Sequence, residues 1–169
     1  YQMRQFGAKG SAFETIVAAG ARAALPHARP GEQTIGSADF TLVDWGAQAG
    51  LYKSDLTRMV VTGKIPPKLE RVYRLVLKAQ SAAIAAIRPG ASCHDVDQVA
   101  RAIIDEAGFG KNFGHGLGHG IGLAVHEAPR MARGTSTHSR SAASRPRIRR
   151  PRAGLPARKR ASTAPSAAR

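Results

Sequence analysis

Residues 41–61 read TLVDWGAQAGLYKSDLTRMVV, and this stretch decides the kind of fold that the chain can adopt. Residues 41–45 and 54–61 are rich in strand-forming side chains, and residues 48–50 form the predicted turn of a β-hairpin. If the turn centres on Ala49 and Gly50, the numbers of cross-strand partners sum to 99, which places Asp44 opposite Asp55. Cβ atoms of such partners lie about 5 Å apart, and opposed like charges are destabilising. We therefore expect one carboxyl to be protonated or both to share a metal ion.

A second unusual stretch, residues 113–127, reads FGHGLGHGIGLAVHE and contains three histidines and five glycines. Each interior glycine costs a helix about 1 kcal/mol, so the stretch is predicted not to be helical. Glycine allows positive φ and close approach of the backbone, which suits a loop that passes a ligand or an ion. Imidazole is the commonest metal ligand in proteins. Two aspartates and one histidine favour Mn, Co or Zn over a metal that prefers thiolates.

These stretches resemble the pita-bread metallopeptidases, through Asp44 in VDWGA, Asp55 in SDLTR and His119 in HGLGHGIGL. Within that family they are most similar to the Xaa-Pro aminopeptidase and Xaa-Pro dipeptidase (prolidase) branch. Residues 13–20, FETIVAAG, and residues 24–27, ALPH, resemble the same branch. The resemblance implies an α+β fold of the pita-bread type, in which helices cover an antiparallel sheet and of which this chain forms a part.

The resemblance also implies a site that holds two divalent metal ions and hydrolyses the peptide bond before a proline. Asp44, Asp55 and His119 correspond to metal ligands, with Asp55 bridging the two ions. The expected partner is a proline-containing peptide. Two alternatives stay open: a non-catalytic pita-bread binding module, and a methionine aminopeptidase, a group that shares part of the histidine motif.

Three further histidines correspond to residues that act on the substrate. His27 and His126 correspond to catalytic residues that contact the substrate and the tetrahedral intermediate. His115 would line the substrate pocket. Glu127 is not used as a base in the family, so we expect it to form structural hydrogen bonds.

Two ligands of the family are absent from this chain. They are glutamates, one in a Glu-Pro-Gly motif and one in a strand that reads approximately Arg-Ile-Glu-Asp, and neither motif occurs here. After Glu127 the sequence contains no Asp or Glu at all. We therefore expect the chain to bind one metal ion or none, and to be inactive or nearly so.

The composition changes abruptly near residue 130. Residues 128–169 contain 12 of the 26 Lys and Arg residues, none of the 11 acidic residues and no aromatic residue. We expect a truncated catalytic domain at residues 1–130 and a basic tail at residues 131–169 that is too polar to fold. A basic tail also suits nucleic acid, through release of counterions. The explanation that we favour is out-of-frame translation of GC-rich DNA, and we do not expect nucleic-acid binding.

Two amphipathic helices are predicted between these stretches. The first begins at Pro66 and Pro67 and ends before Pro89. The second begins at a capping box formed by Ser92 and Asp95, and a glycine at position 108 ends it.

The remaining composition limits where the protein acts. The sequence lacks an apolar run of about 18 residues, so no membrane span is expected. The single cysteine, Cys93, excludes an internal disulfide and fits a reducing compartment, which favours the cytoplasm. Whether the parent protein forms a homodimer is left open by the residues.

Overall fold

The structure is a computed structural model that describes residues 1–61 and 63–138. Its α-helices are α1 (Gln2–Gln5), α2 (Pro67–Ala86) and α3 (Cys93–Glu106), and short 3-10 helices span Gly20–Ala24 and Gly110–Asn112. Its strands are β1 (Gly10–Ser11), β2 (Ile16–Ala19), β3 (Phe40–Trp45), β4 (Ala47–Ala49), β5 (Tyr52–Lys53), β6 (Leu56–Val61), β7 (Gly118–Gly120) and β8 (Glu127–Met131). Helices and strands are both present, as the α+β prediction requires.

All strand pairs of residues 1–61 and 63–138 are antiparallel. β3 pairs with β2 on one side and β6 on the other, while β4 pairs with β1 and β5. The third sheet, formed by β7 and β8, brings the glycine- and histidine-rich stretch into the fold.

The predicted hairpin is present, but its predicted register is wrong. Asp44 pairs with Thr57, and Ala49 pairs with Tyr52, so that Gly50 and Leu51 form the turn. Gly50 has a φ of +61°, which this tight turn requires and glycine readily adopts. The shift amounts to two residues, and side chains alternate between faces with a period of two. Asp55 therefore stays on the face of Asp44, although it lies diagonally from it instead of directly opposite.

Both predicted helices are confirmed, and local sequence explains where they begin and end. α2 begins at Pro67, whose fixed φ suits the first helical turn. At the start of α3, the Ser92 hydroxyl accepts a hydrogen bond of 3.3 Å from the backbone N–H of Asp95. Gly108 follows α3 with a φ of +82°, the left-handed conformation that commonly ends a helix.

The largest buried cluster lies between α2, α3 and β8. Its members are mostly small or β-branched side chains, which allow the elements to pack closely: Ala79, Ala83, Cys93, Val96, Ala100, Ile104 and Met131. Met131 comes from the strand that follows the glycine- and histidine-rich stretch. This strand therefore contributes both to the hydrophobic core and to the position of the preceding loop.

The predicted boundary between domain and tail falls inside β8. Met131 is only 6% exposed, and the backbone N–H of Cys93 donates to Thr137 O at 3.0 Å. His138 forms an isolated β-bridge with Ser92. The rest of the predicted tail, residues 139–169, lies outside the described residues. Within the described ranges, no helix is both long enough and apolar enough to cross a membrane.

Candidate metal centre

Asp44 lies on β3 with one oxygen in an unusual environment. Its Oδ1 atom is buried and has no hydrogen-bond partner among the residues that the structure describes. Burial raises the pKa of this carboxyl above its ordinary value, while a hydrogen bond with Thr57 lowers it. The neighbouring carboxyl of Asp55 raises the pKa again, through its charge and through a hydrogen bond. An unpaired buried carboxylate oxygen beside a second carboxyl is a costly arrangement that a cation would relieve.

Asp55 faces a histidine on its other side. His119 Nε2 lies 3.8 Å from Asp55 Oδ2, and the two side chains are 27% and 29% exposed. The other ring nitrogen of His119, Nδ1, donates to Gly120 O at 2.9 Å. This hydrogen bond leaves the lone pair on Nε2, the atom that faces the carboxylate. Metal-binding histidines almost always donate their second ring N–H in this way.

The predicted metal ligands therefore meet in pairs, and Asp55 belongs to both pairs. Within the described residues, no three His, Cys, Asp or Glu side chains stand close enough together to form a complete cage for an ion. The donor set nevertheless fits a divalent cation, since it combines an unpaired carboxylate oxygen, a second carboxylate and an oriented imidazole nitrogen. Oxygen and nitrogen donors of this kind suit Mn, Co or Zn.

A cavity of about 400 Å³ opens beside the aspartates. His27, His126, Asp44 and Asp55 line it together with apolar and charged residues of 13–16 and 28–30, and with Val125. His27 has a φ of +60°, a left-handed conformation that costs a residue with a Cβ atom roughly 1–2 kcal/mol. Its charge also lowers the pKa of Asp44 slightly, so the ring and the carboxyl interact across the cavity.

The histidines of residues 113–127 separate into two groups. The rings of His119 and His126 are neighbours, with centroids 4.3 Å apart and an interplanar angle of 50°. His115 lies apart from them: it is exposed, packs edge-on against Phe113 and donates from Nδ1 to Gly116 O at 2.7 Å. His115 is not among the residues that line the cavity described above. His126 therefore lies next to His119 and lines the cavity, whereas His115 lies outside the cavity.

The glycines of this loop serve close packing of the backbone. None of the glycines between residues 114 and 122, a fully described stretch, has a positive φ. A Cβ atom at Gly116 would lie 2.8 Å from Met131 O, and one at Gly120 would lie 2.5 Å from Ala128 O. Both distances are too short for real contacts, so only glycine lets the loop lie against β8.

Two hydrogen bonds hold the later part of the loop. The backbone N–H of Lys53 donates to Gly122 O at 2.8 Å, which joins the hairpin to the loop. Glu127 Oε1 accepts a bond of 2.6 Å from the backbone N–H of Ala124. This is the structural hydrogen bonding expected of Glu127, and it shapes the turn that carries His126.

Three residues near the site were not predicted from the sequence. Thr57 follows from the true register, because it is the partner of Asp44. Asp97 and Arg101 form a buried ion pair on α3 that binds the histidine-rich loop. Their spacing of four residues was the available signal, since such residues are neighbours on a helix surface.

The chain is similar to several known proteins. The model of metallopeptidase family M24 matches residues 1–147. The Xaa-Pro dipeptidase of Pyrococcus furiosus is 42% identical over 137 residues, which cover 81% of this chain and 39% of that protein. The solved prolidase from Pyrococcus furiosus has a TM-score of 0.78 at 41% identity. The match covers 83% of this chain and 42% of the prolidase chain. For the X-Pro aminopeptidase from Thermotoga maritima the TM-score is 0.77 at 40% identity, with coverages of 83% and 40%.

These matches confirm the predicted resemblance and the predicted fold class, an α+β fold of the pita-bread type. The chain spans about two fifths of the length of the relatives that it matches.

Proposed function

Because the chain belongs to metallopeptidase family M24, we propose that it is part of an enzyme that hydrolyses the peptide bond before a proline. The observation that carries this proposal is the buried, unpaired Oδ1 of Asp44 beside Asp55, with His119 Nε2 3.8 Å from Asp55 Oδ2. The names of the relatives, an Xaa-Pro dipeptidase, a prolidase and an X-Pro aminopeptidase, support the substrate class.

Asp44, Asp55 and His119 would hold the divalent ions, with Mn, Co or Zn as the expected metals. When bound, such ions would activate water as a nucleophile near neutral pH and would polarise the carbonyl that is attacked. Asp55 would suit a bridging role because it interacts with Asp44 and also lies 3.8 Å from His119 Nε2. The hydrogen bond from His119 Nδ1 to Gly120 O keeps the imidazole in the orientation and tautomer that a ligand needs.

His27 and His126 would bind the substrate, because both line the cavity that contains the two aspartates. An imidazole N–H that points at the developing oxyanion can donate a hydrogen bond to it. One such donor is typically worth about 2.7–4 kcal/mol in comparable sites. The volume of about 400 Å³ lies within the range of small-molecule sites and suits a short peptide. His115 does not line this cavity, so we propose it only as a substrate-binding residue that lies beyond the cavity.

We propose further that this 169-residue chain does not itself turn over substrate. The two glutamate ligands expected from the family have no counterpart, because the sequence after Glu127 contains no acidic residue. Three oxygen and nitrogen ligands leave a dinuclear site incomplete, so one weakly bound ion or none is expected. The single cysteine supports a cytoplasmic location for the protein.

A titration with Mn²⁺ tests the proposal. We expect the unmodified chain to bind about one ion weakly, and the Asp44→Ala/Asp55→Ala variant to lose this binding. A control variant, Asp39→Ala/Glu106→Ala, removes two exposed carboxylates elsewhere and should bind Mn²⁺ as the unmodified chain does. Equal affinity in all three proteins would contradict the proposed site. Rapid cleavage of an Xaa-Pro dipeptide by the chain alone would contradict the proposed inactivity, and cleavage of Met-Xaa peptides would favour a methionine aminopeptidase.

A further inference from the structure

Helix α3 carries a buried ion pair that the proposed function does not use. Asp97 and Arg101 are 0% and 3% exposed. Arg101 donates from Nε to Asp97 Oδ2 at 2.8 Å and from Nη2 to Asp97 Oδ1 at 3.0 Å. Burying two charges requires their removal from water, and apolar side chains of similar volume often replace such a pair without loss of stability. The stability of the core therefore does not by itself account for the pair.

The remaining hydrogen bonds of this pair all go to the histidine-rich loop. Arg101 Nη1 donates to Phe113 O at 2.8 Å, and Nη2 also donates to His115 O at 2.9 Å. The backbone N–H of Leu117 donates to Asp97 Oδ1 at 2.9 Å. The guanidinium carbon lies 4.2 Å from the centre of the Phe113 ring. The ion pair therefore binds the backbone at every second residue from 113 to 117.

Side-chain packing fixes this segment at its two ends, where Phe113 and Leu117 lie against the buried cluster. The two intervening residues, 114 and 116, are glycines and have no side chains that could pack. Glycine loses more conformational freedom on ordering than any other residue. A guanidinium group can hold several acceptors at once because its five N–H groups lie in one rigid plane, whereas an ammonium group is a single flexible point.

Strand pairing supports His119 itself, but only over a short length. β7 contains three residues, and its register with β8 shifts between His119 and Gly120. The regular part of the pairing therefore ends at the residue whose imidazole faces Asp55. Gly118 and His119 pair with Met131 and Arg130, and the hydrogen bond between Leu117 and Asp97 attaches the chain just before this short pairing.

We propose that Asp97 and Arg101 are positioning residues, which fix residues 113–117 to α3 and thereby hold His119 Nε2 opposite Asp55. The consequence for metal affinity rests on the proposed function, whereas the ordering of the loop does not. The ion pair acts through the backbone of residues 113–117. It contacts neither the carboxylates of Asp44 and Asp55 nor the cavity beside them.

Three variants of the full chain test this role. Asp97→Leu/Arg101→Met replaces the pair with apolar side chains, and Arg101→Lys keeps the charge but removes the planar group. The matched control is Arg74→Lys on α2. Arg74 also binds a glutamate four residues before it, Glu70, through Nε and Nη2, but the two side chains are 75% and 41% exposed.

Hydrogen exchange at two amides separates a positioning role from a structural one. The Leu117 amide reports the attachment of the loop, and the amide of the fully buried Ala100 reports opening of the core. In both test variants we expect an unchanged helical circular dichroism signal, exchange of Leu117 at least tenfold faster, and exchange of Ala100 within a factor of three. A loosened loop lets His119 move away from Asp55, so the Mn²⁺ Kd should also rise. The Arg74→Lys control should change neither the exchange rates of the two amides nor the Mn²⁺ Kd.

Several results would overturn the proposal. One is exchange of Leu117 as slow in the variants as in the unmodified chain. Another is acceleration of Leu117 and Ala100 by the same factor, or loss of the helical signal in both variants, because the pair would then serve the core. If the unmodified chain binds no Mn²⁺, the proposed metal site is not assembled in this chain, and the ratio of the Leu117 and Ala100 exchange rates still decides whether the pair orders the loop.

Discussion

Asp44 shows how a single side chain can favour binding over stability. Its carboxyl is half-buried, carries a buried oxygen without a partner in the described residues and lies beside the carboxyl of Asp55. The sequence predicted that these two aspartates would share a face, and the structure confirms it. The sequence did not reveal Thr57 as the cross-strand partner of Asp44. Ala49, Gly50 and Leu51 permit turns at more than one position, and only the folded sheet selects one of them.

Replacement of Asp44 by asparagine should therefore stabilise the metal-free chain. The Asp44→Asn variant removes a charge that burial and Asp55 both disfavour. We expect a gain on the order of 1 kcal/mol at pH 7, or roughly 4 °C in Tm by thermal denaturation. The exposed Asp39→Asn change is the control and should shift Tm by less than a degree or so. A lower Tm for Asp44→Asn would show that its carboxylate is stabilised in a way that this structure lacks.

The same variant should respond differently to metal. A ligand that binds only the folded state stabilises it by about 2.7 kcal/mol at a concentration of 100 Kd. We expect added Mn²⁺ to raise the Tm of the unmodified chain and of Asp39→Asn, but not that of Asp44→Asn.

At the scale of the elements, local signals were reliable and distant contacts were not. The proline at the start of α2, the Ser92 cap of α3 and the glycine after it all act within a few residues, so the sequence alone located both helices. The pair of Asp97 and Arg101 escaped prediction because charged residues on a helix usually face water. The pair binds backbone oxygens and one backbone amide of residues 113–117. Every residue has such groups, so the sequence of side chains does not indicate these partners.

The contact between the loop and β8 gives a test at this scale. Gly120→Ala should displace the loop, because a Cβ atom there would lie 2.5 Å from Ala128 O. Crowding of this kind typically costs about 1–3 kcal/mol. We expect a lower free energy of unfolding in urea and weaker Mn²⁺ binding, since the adjacent residue is His119.

Gly114→Ala is the matched control, in the same loop. A Cβ atom at Gly114 meets nothing within 4 Å, and its φ is not in the left-handed region. This change should leave stability the same or raise it by a few tenths of a kcal/mol, because alanine restricts the unfolded chain. Equal losses in the two variants would mean that the loop does not lie against β8 as described.

At the scale of the whole molecule, the change in charge along the chain does not coincide with the end of the packed region. Nearly half of the basic residues and none of the acids lie after residue 127, yet Met131 belongs to the buried cluster and residues 137 and 138 contact the start of α3. Composition predicted a change in character near residue 130. It could not predict which residues beyond that point pack, because a single buried methionine contributes little to an average over a segment.

Cys93 offers a measurement of global stability. It is 2% exposed in the cluster between α2, α3 and β8, and burial raises the pKa of its thiol above 9.0. Above pH 9 the unfolded chain therefore releases this proton before the folded chain does, so stability should fall as pH rises through the higher, folded-state pKa. We expect the free energy of unfolding to decrease as the pH rises above 9, and Cys93→Ala to show a smaller decrease.

Chemical labelling checks the same assignment. Alkylation of Cys93 by iodoacetamide at pH 8 should be slow in buffer and become fast in urea, following the unfolding transition seen by circular dichroism. Rapid labelling of the folded chain would place the thiol outside the core.

The strand β8 connects the hydrophobic core to the candidate metal centre. It supplies Met131 to the core, and it pairs with the segment that carries His119. Occupancy of the cavity and resistance to heat should consequently rise and fall together. A dye-based melting assay, which needs no substrate and no turnover, would then be enough to screen small molecules and ions against this chain.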